Sequence, residues 1–261
     1  MLFGICGKID LMAEAKELGF DYLEMSVSAL AALNEDEFVE VQKTAREVGL
    51  PTPVCNGLIP GSIPLIGENR DPEQLEKYLR HAFGRLNKLG VQIVVFGSGA
   101  ARKCPEDVSY TEAWRQLVES TKIIGRIAGE YGITVVIEPL QRRECNMINS
   151  MAEGACLQAD VNMPSVERLT DFYHVVSDNE PISDITRIGS FSHVHIAARY
   201  QRRYPLPGQP DDYLQFFARL KAIGYDAHMS IEGRCDDFAK EGAVSLRYIK
   251  ELWAQADPAA L

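Results

Sequence analysis

Two periodicities alternate from one end of this 261-residue chain to the other, and that alternation restricts its fold more than any other feature. Short β-rich runs fall at residues 2–6, 22–26, 53–56, 93–97, 134–138, 166–171, 192–196 and 229–232. Helical patterning fills the gaps, at residues 9–19, 35–49, 71–89, 109–131, 149–159, 181–189, 211–223 and 236–254. Strands that alternate with helices through short connections imply parallel pairing and right-handed crossovers. Eight such units in about 250 residues have the size of a (β/α)8 TIM barrel, so an α/β fold of one domain over residues 1–261 is expected. A doubly wound open sheet is the competing architecture. It calls for a glycine-rich turn after the first strand to bind a dinucleotide, and Cys6-Gly7-Lys8 is no such fingerprint.

Local signals support the helices. Gly19, Gly90 and Gly224 each stand just past a helix and before a strand, the place where a left-handed residue closes a helix. Asp71-Pro72-Glu73 combines an N-cap, a first-turn proline and an acid at the positive end of the dipole. Ser109 and Glu112 have capping-box spacing. The longest irregular stretch near the start, residues 57–70, follows the third strand. Its apolar residues and prolines predict an ordered cover over the catalytic face, and residues 198–211 form a second long loop after strand seven.

The chain is 46% hydrophobic and 25% charged, enough apolar material for a full core. Its formal net charge of −10 repels phosphate backbones and anionic lipid, so neither nucleic acid nor membrane is expected as a partner. No apolar run approaches the ~20 residues of a membrane span. The apolar first residues lack the flank and cleavage pattern of a signal peptide. Cys6, Cys55, Cys104, Cys145, Cys156 and Cys235 are scattered without C-x-x-C spacing and read as reduced thiols of a cytoplasmic protein, Cys6 and Cys55 as core.

Four runs in the second half end on a side chain able to hold a metal: Glu138, Asp171, His195 and Glu232. Packing alone ends a run on a turn residue rather than on a charge at a buried strand end. In a barrel, reactive groups sit at the carboxyl ends of strands, and strands five to eight are neighbours, so the four side chains converge on one divalent cation. Three carboxylates and an imidazole form a mostly hard donor set. It favours Mn²⁺, Mg²⁺ or Co²⁺ and leaves Zn²⁺ open, with Mn²⁺ the expected cofactor. His193 shares a face with His195 and reads as a hydrogen-bonded layer residue. His81 and His228 read as structural. Gly97-Ser-Gly-Ala-Ala-Arg102 is either a phosphate cradle or a plain βα turn. Arg199, Arg202 and Arg203 either hold an anionic substrate end or pair with Asp211 and Asp212.

On these residues the chain resembles the xylose-isomerase-like TIM-barrel superfamily of sugar isomerases and epimerases, over nearly its whole length. Its motifs are most similar to those of the tagatose- and psicose-type ketose 3-epimerases. In that resemblance Glu138 is followed six residues on by Glu144, Asp171 three residues on by His174, His193-Val-His195 is the strand-seven motif, and Gly224-Tyr225-Asp226 precedes Glu232. The resemblance implies that Glu138 and Glu232 are both ligands and the acid/base pair, and that Glu144 and His174 contact substrate. The family's Arg past the strand-seven His falls on Gln201, and its neighbour Arg202 takes that substrate-binding place. Where the family has Glu-Pro-Phe, this chain has Glu232-Gly233-Arg234.

The implied activity is a metal-dependent sugar epimerase or isomerase acting on a small-molecule sugar or sugar derivative by proton abstraction next to a carbonyl, through an enediolate. The same site suits a lyase or dehydratase on a keto-sugar, keto-glycoside or inosose, or an aldose–ketose isomerase resembling hydroxypyruvate isomerase. A nuclease of the endonuclease-four type shares the barrel, but five histidines and the acidic charge argue against it. Retention of all four ligand types argues against a non-catalytic sugar-binding barrel. Barrels of this family often pair, so a homo-oligomer is compatible with the chain.

Overall fold

The structure, a computed structural model, describes residues 1–261. Eight parallel strands close into a barrel in chain order: β1 Leu2–Cys6, β2 Tyr22–Ser26, β3 Val54–Asn56, β4 Ile93–Phe96, β5 Thr134–Ile137, β6 Val166–Asp171, β7 His193–Ile196 and β8 His228–Ile231. β8 pairs back onto β1, Leu2 opposite His228 through Ile5 opposite Ile231. The expected TIM barrel is the observed fold.

Ten α-helices surround it: α1 Met12–Glu17, α2 Val27–Ala32, α3 Glu35–Val48, α4 Pro72–Lys88, α5 Tyr110–Glu130, α6 Met151–Val161, α7 Phe172–Ser177, α8 Asp184–Ile188, α9 Tyr213–Ala222 and α10 Phe238–Gln255. α2 and α7 lie outside the eight that periodicity predicts. Each has six residues and begins directly after its strand, with no turn residue between to mark a new element. Ser26 starts α2 by accepting the Ala29 N–H, and Asp171 starts α7 by accepting the Tyr173 N–H at 2.8 Å. The helix expected over 181–189 contracts to α8, and that over 9–19 opens with a 3₁₀ turn, Ile9–Leu11. No helix is long and apolar enough to cross a membrane.

The caps follow the local chemistry. Asp71 accepts the N–H groups of Glu73 and Gln74, both at 3.0 Å. Gly19, Gly90 and Gly224 have φ of +87°, +75° and +73°, as their positions predict. At Ser109 the capping box is half formed. The Ser109 hydroxyl accepts the Glu112 N–H at 3.2 Å, but the Glu112 carboxylate turns to Arg115 and Gln116.

Two apolar layers hold the barrel. The outer one packs strands against helices; the inner one is a small cluster of Tyr22, Val54, Val95, Val136 and Leu169 inside the barrel. The loop 57–70 is an ordered cover, as expected. Leu58, Ile63, Leu65 and Ile66 are buried, and the Ser98 hydroxyl accepts the Ile59 N–H at 2.9 Å.

Glu180 ties two of these elements together by accepting the Met151 N–H at the start of α6, at 2.9 Å. Burial pushes its carboxyl up to about 7; the Met151 hydrogen bond opposes the rise, and Asp184, Glu153 and Asp178 add to it. A carboxyl that holds its proton more tightly folded than unfolded favours the fold at low pH. That contribution is complete below the ordinary value of 4.5 and is lost as pH rises through about 7. Glu180→Gln is therefore expected to flatten the fall in stability between about pH 5 and pH 8. The difference should be about 1 kcal/mol once partial exposure is allowed for, read by urea unfolding at the two pH values.

Candidate active site

The barrel brings the four expected ligands to one point at the carboxyl ends of its strands. Glu138 follows β5, Asp171 closes β6, His195 lies in β7 and Glu232 follows β8. One donor atom from each lies within 4.8 Å of the others. Asp171 and His195 are register partners, and the Glu232 N–H bonds to the Ile196 carbonyl at 3.1 Å, so the sheet itself positions three of the four. His195 Nδ1 is 3.0 Å from Glu138 Oε1 and 3.1 Å from Glu232 Oε2.

Glu138 owes its position to Gly97. A Cβ there would lie 2.2 Å from Glu138 Oε2, far inside contact distance. Gly97→Ala is expected to fold but to weaken Mn²⁺ binding about tenfold or more, the scale seen when groups supporting a ligand are disturbed, as read by titration calorimetry. The glycine-rich turn offers no free cation to a phosphate. Arg102, the cation it would have offered, is fully buried and donates to the backbone carbonyls of Phe96 at 3.0 Å and Glu138 at 2.6 Å.

Behind the ligands stands a group that motif reading does not single out. Glu24, in the middle of β2 and fully buried, accepts from His195 Nε2 at 2.8 Å and from His193 Nε2 at 3.0 Å. Ser230 also donates to it, and Tyr22 and Ser230 are hydroxyl partners at 2.7 Å. An ionised carboxylate only accepts, so a proton of His195 sits on Nε2, and loss of the proton on Nδ1, which faces Glu138 and Glu232, would free that nitrogen's lone pair for an ion. The signal was a lone charge inside the β-rich Tyr22–Ser26 run, which parity alone does not aim inward or outward. Cys6, expected as core filler, instead clusters with Glu24 and His195 at the edge of the site. His193 is the buried, hydrogen-bonded layer residue its position predicts.

The substrate-binding candidates surround the same opening. His174 Nδ1 accepts the Gln141 N–H at 3.1 Å, which leaves its proton on Nε2. That Nε2 is buried, lacks a hydrogen-bond partner and lies 3.5 Å from Asp171 Oδ2. Arg202 reaches Glu232 Oε2, lies 3.5 Å from Asp171 Oδ2 and 3.7 Å from Glu144 Oε2, and covers the Tyr173 ring at 4.7 Å. Gln141, absent from the motif, holds Glu144 at 2.8 Å and the Tyr173 hydroxyl at 2.7 Å. Arg199 and Arg203 leave the site: Arg199 turns to Asn179 at 2.8 Å, and Arg203 to Asp236 and Glu241. The departure at Gly233 also has a cause. A Cβ there would lie 2.9 Å from the Arg202 carbonyl, so glycine lets the 232–234 segment pair with the turn that carries Arg202.

The charges fit a divalent cation. Burial pushes the Asp171 carboxyl up to about 7 against the pull of Arg202, and burial also raises Glu138 against its hydrogen bond from His195. Burial raises Glu232 too, but His195 and Arg202 outweigh it and hold that carboxylate at about 2. Burial lowers the His174 imidazole to about 3, with Arg202 adding to the effect, so it is neutral. Three carboxylates this close, two buried and Glu232 half-buried, repel one another unless positive charge sits among them, and the Arg202 guanidinium against Glu232 and Asp171 supplies only part of it.

Fold and site together define a (β/α)8 barrel with a carboxylate–imidazole cluster at its strand ends. The chain belongs to the xylose isomerase-like TIM barrel family, which matches residues 12–252. It is 26% identical over 245 residues to the 3-dehydro-D-guloside 4-epimerase of Escherichia coli (strain K12), covering 90% of this chain and 91% of that protein. It is 25% identical over 230 residues to the D-psicose 3-epimerase of Ruminiclostridium cellulolyticum, covering 83% and 74%. The solved structure of a Methylomonas sp. D-allulose 3-epimerase in complex with D-allulose has the same fold, with a TM-score of 0.84, 20% identity and 96% of each chain covered.

Proposed function

We propose that this chain is a divalent-metal-dependent sugar epimerase or isomerase of the ketose 3-epimerase-like type, acting on a small-molecule sugar or sugar derivative. One observation carries the reading: donor atoms of Glu138, Asp171, His195 and Glu232, from four consecutive strands, lie within 4.8 Å of one another. These residues would hold the cation, and the oxygen-rich set places Mn²⁺ first, with Mg²⁺, Co²⁺ and Zn²⁺ able to enter. When bound, such a cation supplies positive charge that lowers the cost of an enediolate.

Glu138 and Glu232 serve as the acid/base pair. One takes the proton from the carbon beside the carbonyl, and the other returns a proton. His174, neutral and with its Nε2–H unpartnered, donates to a substrate oxygen. Arg202 and Glu144 hold hydroxyls at the mouth, and the Tyr173 ring beneath Arg202 keeps its guanidinium in place. Deuterium incorporation tests the reading. Keto-sugars incubated with the Mn²⁺-loaded protein in D₂O should gain deuterium beside the carbonyl, and chelation should stop the exchange. A product lighter by water or by an aglycone points to a lyase instead.

A further inference from the structure

The ligands occupy one side of the barrel mouth. The other side, over β1–β3, holds a cavity of about 540 Å³ between the strand ends and helices α2 and α3. Glu24, Glu232 and Asn56 line its inner end, so it is continuous with the ion site; Asn56 Nδ2 donates to Glu232 Oε1 at 3.1 Å. Its remaining walls are largely apolar, formed by Ile9, Met25, Ala29, Leu30, Leu33 and Val41, with Cys6, Gly7 and Lys8 along the end of β1. Ser26, which also faces it, is already engaged with Ser28 and the Ala29 N–H. Beyond Arg202 lies a polar cavity of about 750 Å³ with Glu144, Tyr173, Gln201, Arg202 and Arg234 on its walls; Arg203 also borders it but is held by Asp236 and Glu241.

This asymmetry bears on the substrate. A free ketose carries an oxygen on every carbon, and hydroxyls buried against aliphatic walls without partners are strongly disfavoured. The polar cavity can satisfy a sugar's hydroxyls better than the aliphatic one, where Glu24, Ser26 and Asn56 are already engaged and Lys8 stands at the edge. A cavity of this size lies in the range that encloses small organic ligands. Because Glu232 lines both this cavity and the ion site, a group attached to a sugar at the ion site could reach into the cavity.

We propose that the substrate is a keto-glycoside with an apolar aglycone. The sugar lies over Glu138, Asp171, His195 and Glu232, and the aglycone fills the cavity over β1–β3. This rests on the proposed function, whose sugar it specifies.

Titration calorimetry on the Mn²⁺-loaded protein tests it, with methyl and phenyl D-glucosides and D-galactosides in both anomers as probes. At least one phenyl glycoside should bind about tenfold or more tightly than its methyl counterpart, the factor expected from burying one ring. Ala29→Phe and Leu33→Phe, each filling the cavity from its exposed side, should independently remove that advantage. Ala29 is exposed, so its variant keeps the test usable if Leu33→Phe folds poorly. Equal affinities for phenyl and methyl probes in the unmodified protein, no binding of either, or an advantage that survives both variants overturns the proposal. Deuterium exchange with a methyl 3-keto-glycoside, run in parallel, separates the two readings. Exchange without a phenyl advantage removes the aglycone cavity and keeps the reaction. A phenyl advantage without exchange supports the cavity and removes the reaction.

Discussion

Glu232→Gln is expected to slow deuterium exchange beside the substrate carbonyl by about 10³-fold, inside the ~10²–10⁴-fold range of a general acid–base group. The substitution preserves shape: an amide oxygen can still accept from Asn56 Nδ2, now 3.1 Å from Glu232 Oε1. It removes the charge that faces His195 and Arg202 and the carboxylate that takes or returns the proton on its own face of the substrate. The other three ligands remain, so Mn²⁺ should still bind at raised concentration. Calorimetry and exchange on the same sample separate a lost ligand from a lost base. Full exchange in the variant at saturating Mn²⁺ would remove Glu232 from the acid/base pair.

The second large effect belongs to Glu24. In Glu24→Gln one acceptor oxygen becomes an NH₂ group, and three donors, His195 Nε2–H, His193 Nε2–H and the Ser230 hydroxyl, then compete for the other. A buried network left half satisfied is costly, about 3 kcal/mol on the scale of a broken buried pair. Relief by moving the His195 proton to Nδ1 would block the lone pair the ion needs. The expected result is a fall in Mn²⁺ affinity of about 10–100-fold together with a lower unfolding midpoint. If the midpoint falls while the affinity stays within about twofold, Glu24 braces the barrel and has no hold on His195.

The barrel was legible because its signal is repeated: eight alternations of period allow few other arrangements. The convergence of Glu138, Asp171, His195 and Glu232 was legible for a related reason, since each ends its own run and parallel strands bring run ends to one face. What escaped was whatever depends on strand parity or on distance along the chain. Glu24 sits mid-strand, where only the closed barrel shows that it points inward to meet His195, 171 positions later. Gln141 carries no motif, and its value lies in holding Glu144 and Tyr173 together. Arg102 misleads by its setting: a cation after a glycine-rich turn suggests an anion site, while the fold spends it on two carbonyls. α2 and α7 continue straight from β2 and β6, so no break in the sequence announces them.

If the cavity over β1–β3 takes an aglycone, the split of the mouth puts the groups proposed to touch the sugar, Glu144, His174 and Arg202, in the second half of the chain and the aliphatic walls in the first. Substitutions at Ile9, Ala29, Leu33 or Val41 can retune which compounds are accepted without disturbing a single donor atom. Variants of this protein with new preferences should therefore be sought among changes in the first 60 residues.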